Sequence, residues 1–367
     1  MNKSILVAVT NDLNQDQRMH RICTTLGEAG FEVTLLGRKK SNSLPLLDHS
    51  FHQHRLNCIF SCGFLFYVEY NIRLLLYALN HKSDSIYAVD LDTLLGAGIA
   101  SKLLRIKLIH DAHEYFIEVP ELEGERLKKA IWNWIGRRFI PKANLCITVN
   151  SELAEILSKK YGNDFEVIRS VPLLLKNQKT TASSTDQPVI LYQGVLNKGR
   201  GLEEAIQAVK AMEKNVLLKI AGEGDLSATL RVLVGQLQVE DRVQFLGWLS
   251  PEELRKETSK ADVGLNLLSA SSLNYKYSLA NKFFDYMHSE VPSINMDFPV
   301  YRRICSEYEV GLCIDSLDSD TVRHAIHTLL ADQEKRNRIL RACQEAKLVF
   351  NWEREATRLI DMISKIF

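Results

Sequence analysis

The apolar residues of this chain fall into short continuous runs, separated by longer segments in which they recur every three or four positions. Residues 4–9, SILVAV, are one such run. A run without polar alternation predicts a strand buried on both faces, as in a parallel sheet. Residues 14–30 then carry helical spacing and stop at Gly30, and residues 31–37 supply a second strand, which makes a βαβ unit. The alternation continues with strands at 86–90, 107–111, 145–150 and 166–171. Helices are expected near 94–104 and 126–139 and at 151–161. Residues 176–188, KNQKTTASSTDQP, break the pattern; a stretch so poor in apolar residues predicts a linker. Beyond it, strands are expected at 188–194, 216–222, 243–247, 262–268, 291–296 and 310–315. Their helices are expected at 202–212, 226–237, 251–259, 318–330 and 333–348, with a terminal helix at 352–366.

This pattern predicts two doubly wound α/β domains. Residues 1–175 form the first, 176–188 the linker and 189–350 the second, and the helix at 352–367 is expected to rejoin the first. In such sheets ligands bind beyond the carboxyl ends of the strands, so the chemistry is expected in a cleft between the halves.

The length of 367 residues agrees with two cores. The net charge of +1 offers no global field for nucleic acid, and none is expected as a partner. The seven cysteines are scattered and lack metal-site spacing, which predicts reduced thiols. The longest apolar stretch, 63–79, is interrupted by Glu69, Asn71 and Arg73, and the first strand is cut short by Asn11 and Asp12. A cytoplasmic protein is expected, with peripheral contact to the inner face of the cell membrane as an option.

Five constellations carry candidate chemistry. In SSLNYKYSLANKFFDYM, Ser278 is placed to cap a helix, so that the amides of Leu279, Ala280 and Asn281 could hold an anion. Lys282 in that first turn is unfavourable beside the helix dipole unless a phosphate is bound, and Asp285 lies one turn on, where it could take ribose hydroxyls. In YQGVLNKGRGLEEAI, Gly194 ends a strand and Lys198 and Arg200 follow it, a basic glycine-containing loop that matches no established phosphate fingerprint. Gly222 and Gly224 make a further glycine turn, suited to a nucleotide or to a plain turn. In LIHDAHEYF, a strand end gathers His110, Asp111, His113 and Glu114, four polar groups that are costly to bury without a role. Asp90 and Asp92 form the fourth, an acid pair that fits a metal or, more simply, a capped turn. Residues 126–142 form the fifth, with six basic residues, no acid, and apolar Leu127, Ile131, Trp134, Ile135 and Phe139 at helical spacing. That helix fits either a core face or an anionic membrane surface.

Taken in order, VTNDLNQDQRMHRICTTL, YAVDLDTLLGA, DAHEYFIEVPEL, NLCITVNSELAEIL, YQGVLNKGRGLEEAI, LKIAGEGD, VQFLGWLSPEEL, ADVGLNLL and SLANKFFDYM resemble the retaining GT-B glycosyltransferases of family four (glycosyl transferases group 1). The resemblance implies two Rossmann-like domains, a nucleotide-sugar donor held mainly by the second and an acceptor held mainly by the first. It places His113 near the transferred sugar with Glu114 beside it, Arg200 and Lys282 on the diphosphate, and Asp285 on the ribose. It places Asn11, Asp12 and Arg18 in the loop after the first strand, as acceptor or loop contacts. No metal and no cofactor are implied, only a UDP- or GDP-sugar as co-substrate and a lipid-linked or polysaccharide acceptor in cell-surface glycan assembly. Tyr277 stands where the family often has an acid, Val195 where it often has a cation, and the first loop lacks the usual glycine pair. A nucleotide-sugar epimerase of the same frame, or a catalytically silent donor-binding partner subunit, is the alternative.

Overall fold

The structure is a computed structural model that describes residues 3–174, 187–213 and 215–367. The expected linker at 176–188 lies outside the described residues except for Gln187 and Pro188. The chain divides into two compact units. One comprises Met1–Ser170 with Glu353–Phe367, the other Val171–Trp352.

The N-terminal unit runs β1 (Ser4–Ala8), α1 (Gln17–Glu28), β2 (Glu32–Lys39), β3 (His52–Asn57), α2 (Gly63–Asn80), β4 (Ser85–Val89), α3 (Asp90–Leu104), β5 (Lys107–Ala112), α4 (Arg126–Phe139), β6 (Leu145–Thr148), α5 (Ser151–Tyr161) and β7 (Phe165–Val167). Its sheet is parallel, in the order β3-β2-β1-β4-β5-β6-β7. The apolar runs do what their pattern requires: every residue of β4 is buried, and so are the last four of β1. The edge strand β3, HQHRLN, was not expected. Only one of its six residues is buried, so no apolar run marks it. The expected start of α1 at residue 14 is three residues early, because residues 11–16 are folded on themselves and Asp16 caps the helix by accepting from the Met19 amide. Helix α3 begins at Asp90 rather than near 94.

The C-terminal unit runs β8 (Val189–Gln193), α6 (Leu202–Lys210), β9 (Leu217–Ala221), α7 (Ser227–Leu237), β10 (Val243–Gly247), α8 (Pro251–Thr258), β11 (Val263–Asn266), α9 (Leu273–Lys276), α10 (Asn281–His288), β12 (Ser293–Met296), α11 (Pro299–Tyr308), β13 (Gly311–Ile314), α12 (Ser319–Ala331) and α13 (Gln333–Ala346). Its parallel sheet has the order β10-β9-β8-β11-β12-β13. The last helix, α14 (Trp352–Ser364), ties residues 353–367 into the first unit: Glu355 accepts from Arg169 at 2.8 Å, and Phe31 packs on Phe367 with ring centroids 5.6 Å apart.

Both sheets reverse strand order beside their first strand, between β1 and β4 and between β8 and β11. Each unit is therefore Rossmann-like, and each switch point is where such a sheet opens for a ligand. Among the described residues, no helix is long and apolar enough to cross a membrane, and all seven cysteines are free thiols.

Candidate functional site

The N-terminal unit brings its polar groups together at the carboxyl ends of β1, β4 and β5. Thr10, just past β1, donates to Asp92 at 2.5 Å, and Asn71 of α2 donates to the Asp92 carbonyl at 2.7 Å. Asp90 carries a φ of 52°, a left-handed conformation that Asp tolerates better than most residues. Its carboxylate accepts from the His113 amide at 2.9 Å. Burial pushes the Asp92 carboxyl up to about 7, and nearby acids add to burial in raising Asp90. Burial thus favours the protonated form of both carboxyls. No group of three or more His, Cys, Asp or Glu among the described residues could hold a metal ion.

Asp111 is the centre of the cluster. It is completely buried, and Arg18 of α1 reaches it with three guanidinium contacts at 2.9, 3.0 and 3.3 Å. Tyr87 donates to the same carboxylate at 2.7 Å. Burial opposes the charge on Asp111, but Arg18 and His113 outweigh it and hold the carboxyl far below the usual range. Being ionised, Asp111 accepts from the His113 ring: Nε2 lies 3.0 Å away. Burial would strip the proton from that ring, yet Asp111 more than offsets it and the His113 pKa rises. His113 keeps 21% of its side chain exposed, so a substrate can reach it. His110 faces away into the core beside Phe165, and burial lowers it to about 4.

Arg18 is thus not a loop contact. It sits on a helix, is 6% exposed, and spends its donors on Asp111 and the Ile168 carbonyl. Asn11 holds its own loop, donating to Asp16 at 2.7 Å and accepting from the Leu13 amide at 2.9 Å. The Asp12 carbonyl accepts from Arg55 at 2.7 Å. Glu114 lines, with Asp90 and Asp92, a cavity of about 580 Å³ bounded by α2 and α4. In α4, Trp132, Ile135 and Phe139 are buried while Leu127 and Trp134 are 75% and 59% exposed, so the expected apolar stripe is only partly core.

The C-terminal unit carries the second cluster, at the end of β8. Gly194 and Gly222 approach so closely that a Cβ on Gly222 would collide with the Gly194 carbonyl oxygen. Lys282 of α10 extends to this point. Its Nζ lies 3.7 Å above the Tyr192 ring and is buried without any hydrogen-bond partner among the described residues. Burial drives its pKa well down, and Arg200 adds repulsion, only partly countered by Asp285. Arg200 stacks on Tyr275 at 4.8 Å, and its Nε is also buried without a partner. Tyr275 in turn donates to the Lys198 carbonyl at 3.3 Å, while the Lys198 side chain is exposed. Asp285 is held by Gln193 at 2.8 Å, which itself accepts from Thr258 at 2.9 Å. Gly224 lies in the adjoining turn, where its amide donates to Ser227 at 2.9 Å.

The helix start differs from expectation. Ser278 does not cap it; its hydroxyl donates back to Tyr275 at 2.8 Å, closing the short helix α9. Ala280 is the N-cap and offers no side-chain bond. The Ala280 amide is taken by the Tyr301 hydroxyl at 3.0 Å, and Leu279 is buried. Tyr301 intervenes from a helix, α11, that the hydrophobic pattern did not reveal. Asn281 begins α10 and remains exposed. Gln193, Tyr192 and Tyr275 were also not anticipated. Gln193 had a signal: a lone amide ending an all-apolar strand needs a buried partner.

Two family models match successive parts of the chain. Residues 15–173 match Glycosyltransferase Family 4, and residues 175–345 match Glycosyl transferases group 1. A curated relative is the alpha-D-kanosaminyltransferase of Streptomyces kanamyceticus, 21% identical over 66% of this chain and 66% of the relative. Among solved structures, sucrose-phosphate synthase of Thermosynechococcus elongatus superposes with a TM-score of 0.82 at 18% identity, covering 100% of this chain and 99% of the other. Anabaena HepE in complex with UDP-glucose superposes at 0.79 with 16% identity, covering 99% of each. These likenesses extend the Rossmann-like pair to the GT-B fold.

Proposed function

Because this chain belongs to the glycosyl transferases group 1, its two halves matching the two family models, we propose that it is a retaining glycosyltransferase. It moves a hexosyl group from a nucleoside diphosphate sugar to a hydroxyl acceptor in the assembly of a cell-surface glycan. The observation that carries the donor half is the buried amine of Lys282, left without a hydrogen-bond partner among the described residues, beside Arg200 at the glycine turn. A buried cation without an acceptor is costly, and a diphosphate would supply the acceptor. The charge that develops on a departing diphosphate would then meet donors already in place, with little reorganisation. Asp285, steadied by Gln193, faces the ribose. UDP is favoured as the nucleotide by the UDP-glucose complex of the HepE neighbour.

In the N-terminal unit, Arg18 fixes Asp111, and Asp111 fixes the tautomer and direction of His113. His113 hydrogen-bonds the transferred sugar, and Glu114 orients the acceptor hydroxyl. No metal is needed where Lys282 and Arg200 carry the charge. The protein works in the cytoplasm. The exposed Trp134 with Arg137 and Arg138 gives it peripheral contact with an anionic membrane face.

A thermal-shift panel of UDP-, GDP-, ADP- and CMP-sugars tests the donor. A nucleotide sugar at 100 times its dissociation constant should add about 2.7 kcal/mol of stability. Asp285→Ala should remove about 1.5–3 kcal/mol of that binding, the worth of a charged hydrogen bond, while the protein stays folded. A panel without any shift would end the reading.

A further inference from the structure

Three of the cysteines gather at the β13 edge of the C-terminal sheet: Cys305 on α11, Cys313 on β13 and Cys343 on α13. Cys343 is fully buried, its thiol donates to the Val310 carbonyl at 3.7 Å, and burial pushes it up to about 12, so it is inert. Cys305 and Cys313 differ. They lie eight positions apart in sequence, both are half-buried, and their side chains hydrogen-bond to each other. Asn295, itself completely buried, sits between them. It pairs with Cys313 across the β12–β13 register, and its side-chain amide donates to the Cys305 sulfur at 3.9 Å. A disulfide forms only where the backbone brings two sulfurs together, and here that approach is largely made.

The two thiols are unequal. The hydrogen bond from Cys305 favours a thiolate on Cys313 and lowers its pKa; burial and Asp297 oppose this, and Arg302 adds to it. The same bond, together with burial, keeps the proton on Cys305. An accessible, thiolate-prone cysteine beside a second thiol is the arrangement of an attacking and a resolving sulfur.

We propose that Cys305 and Cys313 are a reversible modification site, a dithiol that a hydroperoxide converts to a disulfide, and that its state is passed along α11 to the start of α10. The Cys313 thiolate attacks one peroxide oxygen. The O–O bond breaks, water or an alcohol leaves with the proton that Cys313 gave up, and Cys313 becomes a sulfenic acid. The Cys305 sulfur then attacks the Cys313 sulfur. The S–O bond breaks, and the hydroxide that leaves takes the Cys305 proton as water. Two thiols thus lose two electrons and one hydroperoxide gains them. Thiol exchange with a reductant reverses the change. Tyr301 lies one turn before Cys305 on α11, and its hydroxyl accepts the Ala280 amide at 3.0 Å. Drawing Cys305 onto β13 shifts that turn and loosens the Tyr301 contact.

Peptide mapping of the full chain tests the site. Both cysteines fall in one tryptic segment, residues 304–323. After brief hydrogen peroxide, an acid quench and alkylation of the unfolded chain, this segment should carry no alkyl group and have lost two hydrogens, while Cys343 takes its label. Dithiothreitol before the quench should restore both labels. Cys305→Ser should stop at a sulfenic acid on Cys313, which dimedone traps. Cys313→Ser should leave Cys305 about tenfold or more slower to oxidise. Hydrogen exchange reads the link: the Ala280 amide should exchange several-fold faster in the oxidised protein and recover on reduction, with no response to peroxide in Cys313→Ser. Two labels on the segment after peroxide, or a sulfinic acid or a bond to another cysteine in place of the internal disulfide, would overturn the site. A disulfide that leaves exchange at Ala280 unchanged would overturn its link to α10. Neither readout requires a nucleotide sugar, so both stand apart from the transferase reading.

Discussion

Arg18 and Lys282 are two cations buried to nearly the same degree, 6% and 8% exposed, one in each unit. Each lies near the carboxyl end of a central strand. Their surroundings differ in one respect. Arg18 meets the carboxylate of Asp111 and the carbonyl of Ile168, and the carboxylate helps hold its proton more firmly than usual despite burial. Lys282 meets an aromatic face and a second cation, and its proton is held far less firmly. The first charge is satisfied within the protein, so its work is to hold the fold and aim His113. The second has no hydrogen-bond partner among the described residues, and on the proposed reading a bound diphosphate supplies one. On the proposed reading, equal burial separates a positioning residue from a binding residue once the partners are counted.

The comparison breaks most visibly at Arg18. Arg18→Met leaves Asp111 buried with only Tyr87 and His113, and should cost about 3–5 kcal/mol of stability, as expected for one partner of a buried ion pair. Denaturant unfolding would show it. Adding Asp111→Asn should recover part of the loss, a coupling that a double-mutant cycle measures. If Arg18→Met unfolds at the wild-type midpoint, the pair is not the anchor of the N-terminal site.

His113 depends on that anchor without being part of it. His113→Ala should lower kcat and kcat/KM together by about 10²-fold, the loss expected when a contact is made in the transition state. UDP affinity should hardly change, since the proposed donor contacts belong to the other unit. A variant within a few-fold of wild-type turnover would move the catalytic role elsewhere, with Glu114 next.

What the sequence revealed follows from which forces are local. Strands buried on both faces are written as continuous apolar runs, so β1, β4, β5 and β8 could be placed within a residue or two. The edge strand β3 has no such run, because most of it is exposed at the edge of the sheet. The candidate site was legible as clusters, since Asp111 with His113 and Lys282 with Asp285 each lie within one short segment. The partners that decide their roles are not local. Arg18 lies 93 residues from Asp111, Gln193 lies 92 from Asp285, and the Tyr301 hydroxyl that takes the Ala280 amide belongs to another helix. A hydroxyl at position 278 looks like a cap in sequence, and only the fold shows that it bonds backward to Tyr275.

Lys282 sharpens the comparison by its sign. Lys282→Met removes a buried amine without a hydrogen-bond partner among the described residues, so stability should stay level or rise, the reverse of Arg18→Met. UDP binding should weaken by about 1.5–3 kcal/mol, roughly ten- to a hundredfold. The pH dependence follows from the lowered pKa. Between that native value and about 10.4 the unfolded chain binds the proton and the folded chain does not. Wild type should therefore gain stability relative to Lys282→Met as pH rises through this window. UDP favours the charged form, so its affinity for wild type should fall over the same range, and binding should take up a proton. Calorimetry in two buffers of different ionisation enthalpy reads that uptake. No uptake by wild type, or equal uptake by the variant, would remove Lys282 from the diphosphate.

The smallest effect is expected from chelation, and it probes the same contrast. A transferase that neutralises its leaving group with a metal needs carboxylates that are ionised and free to bind it. The acid pair that could serve, Asp90 and Asp92, is engaged instead: Asp90 accepts the His113 amide, and Asp92 accepts the Thr10 hydroxyl. Burial keeps both inclined to hold a proton, Asp92 up to about 7. On the proposed reading the charge opposite a diphosphate is supplied in the other unit, by Arg200 and by a Lys282 that a diphosphate would recharge. EDTA should therefore leave the initial transfer rate unchanged within error, for wild type and for Asp92→Asn alike. A rate that collapses with chelator and returns with manganese or magnesium would assign the diphosphate's neutralisation to a metal. It would then leave the buried cation of the C-terminal unit without the partner on which its role depends.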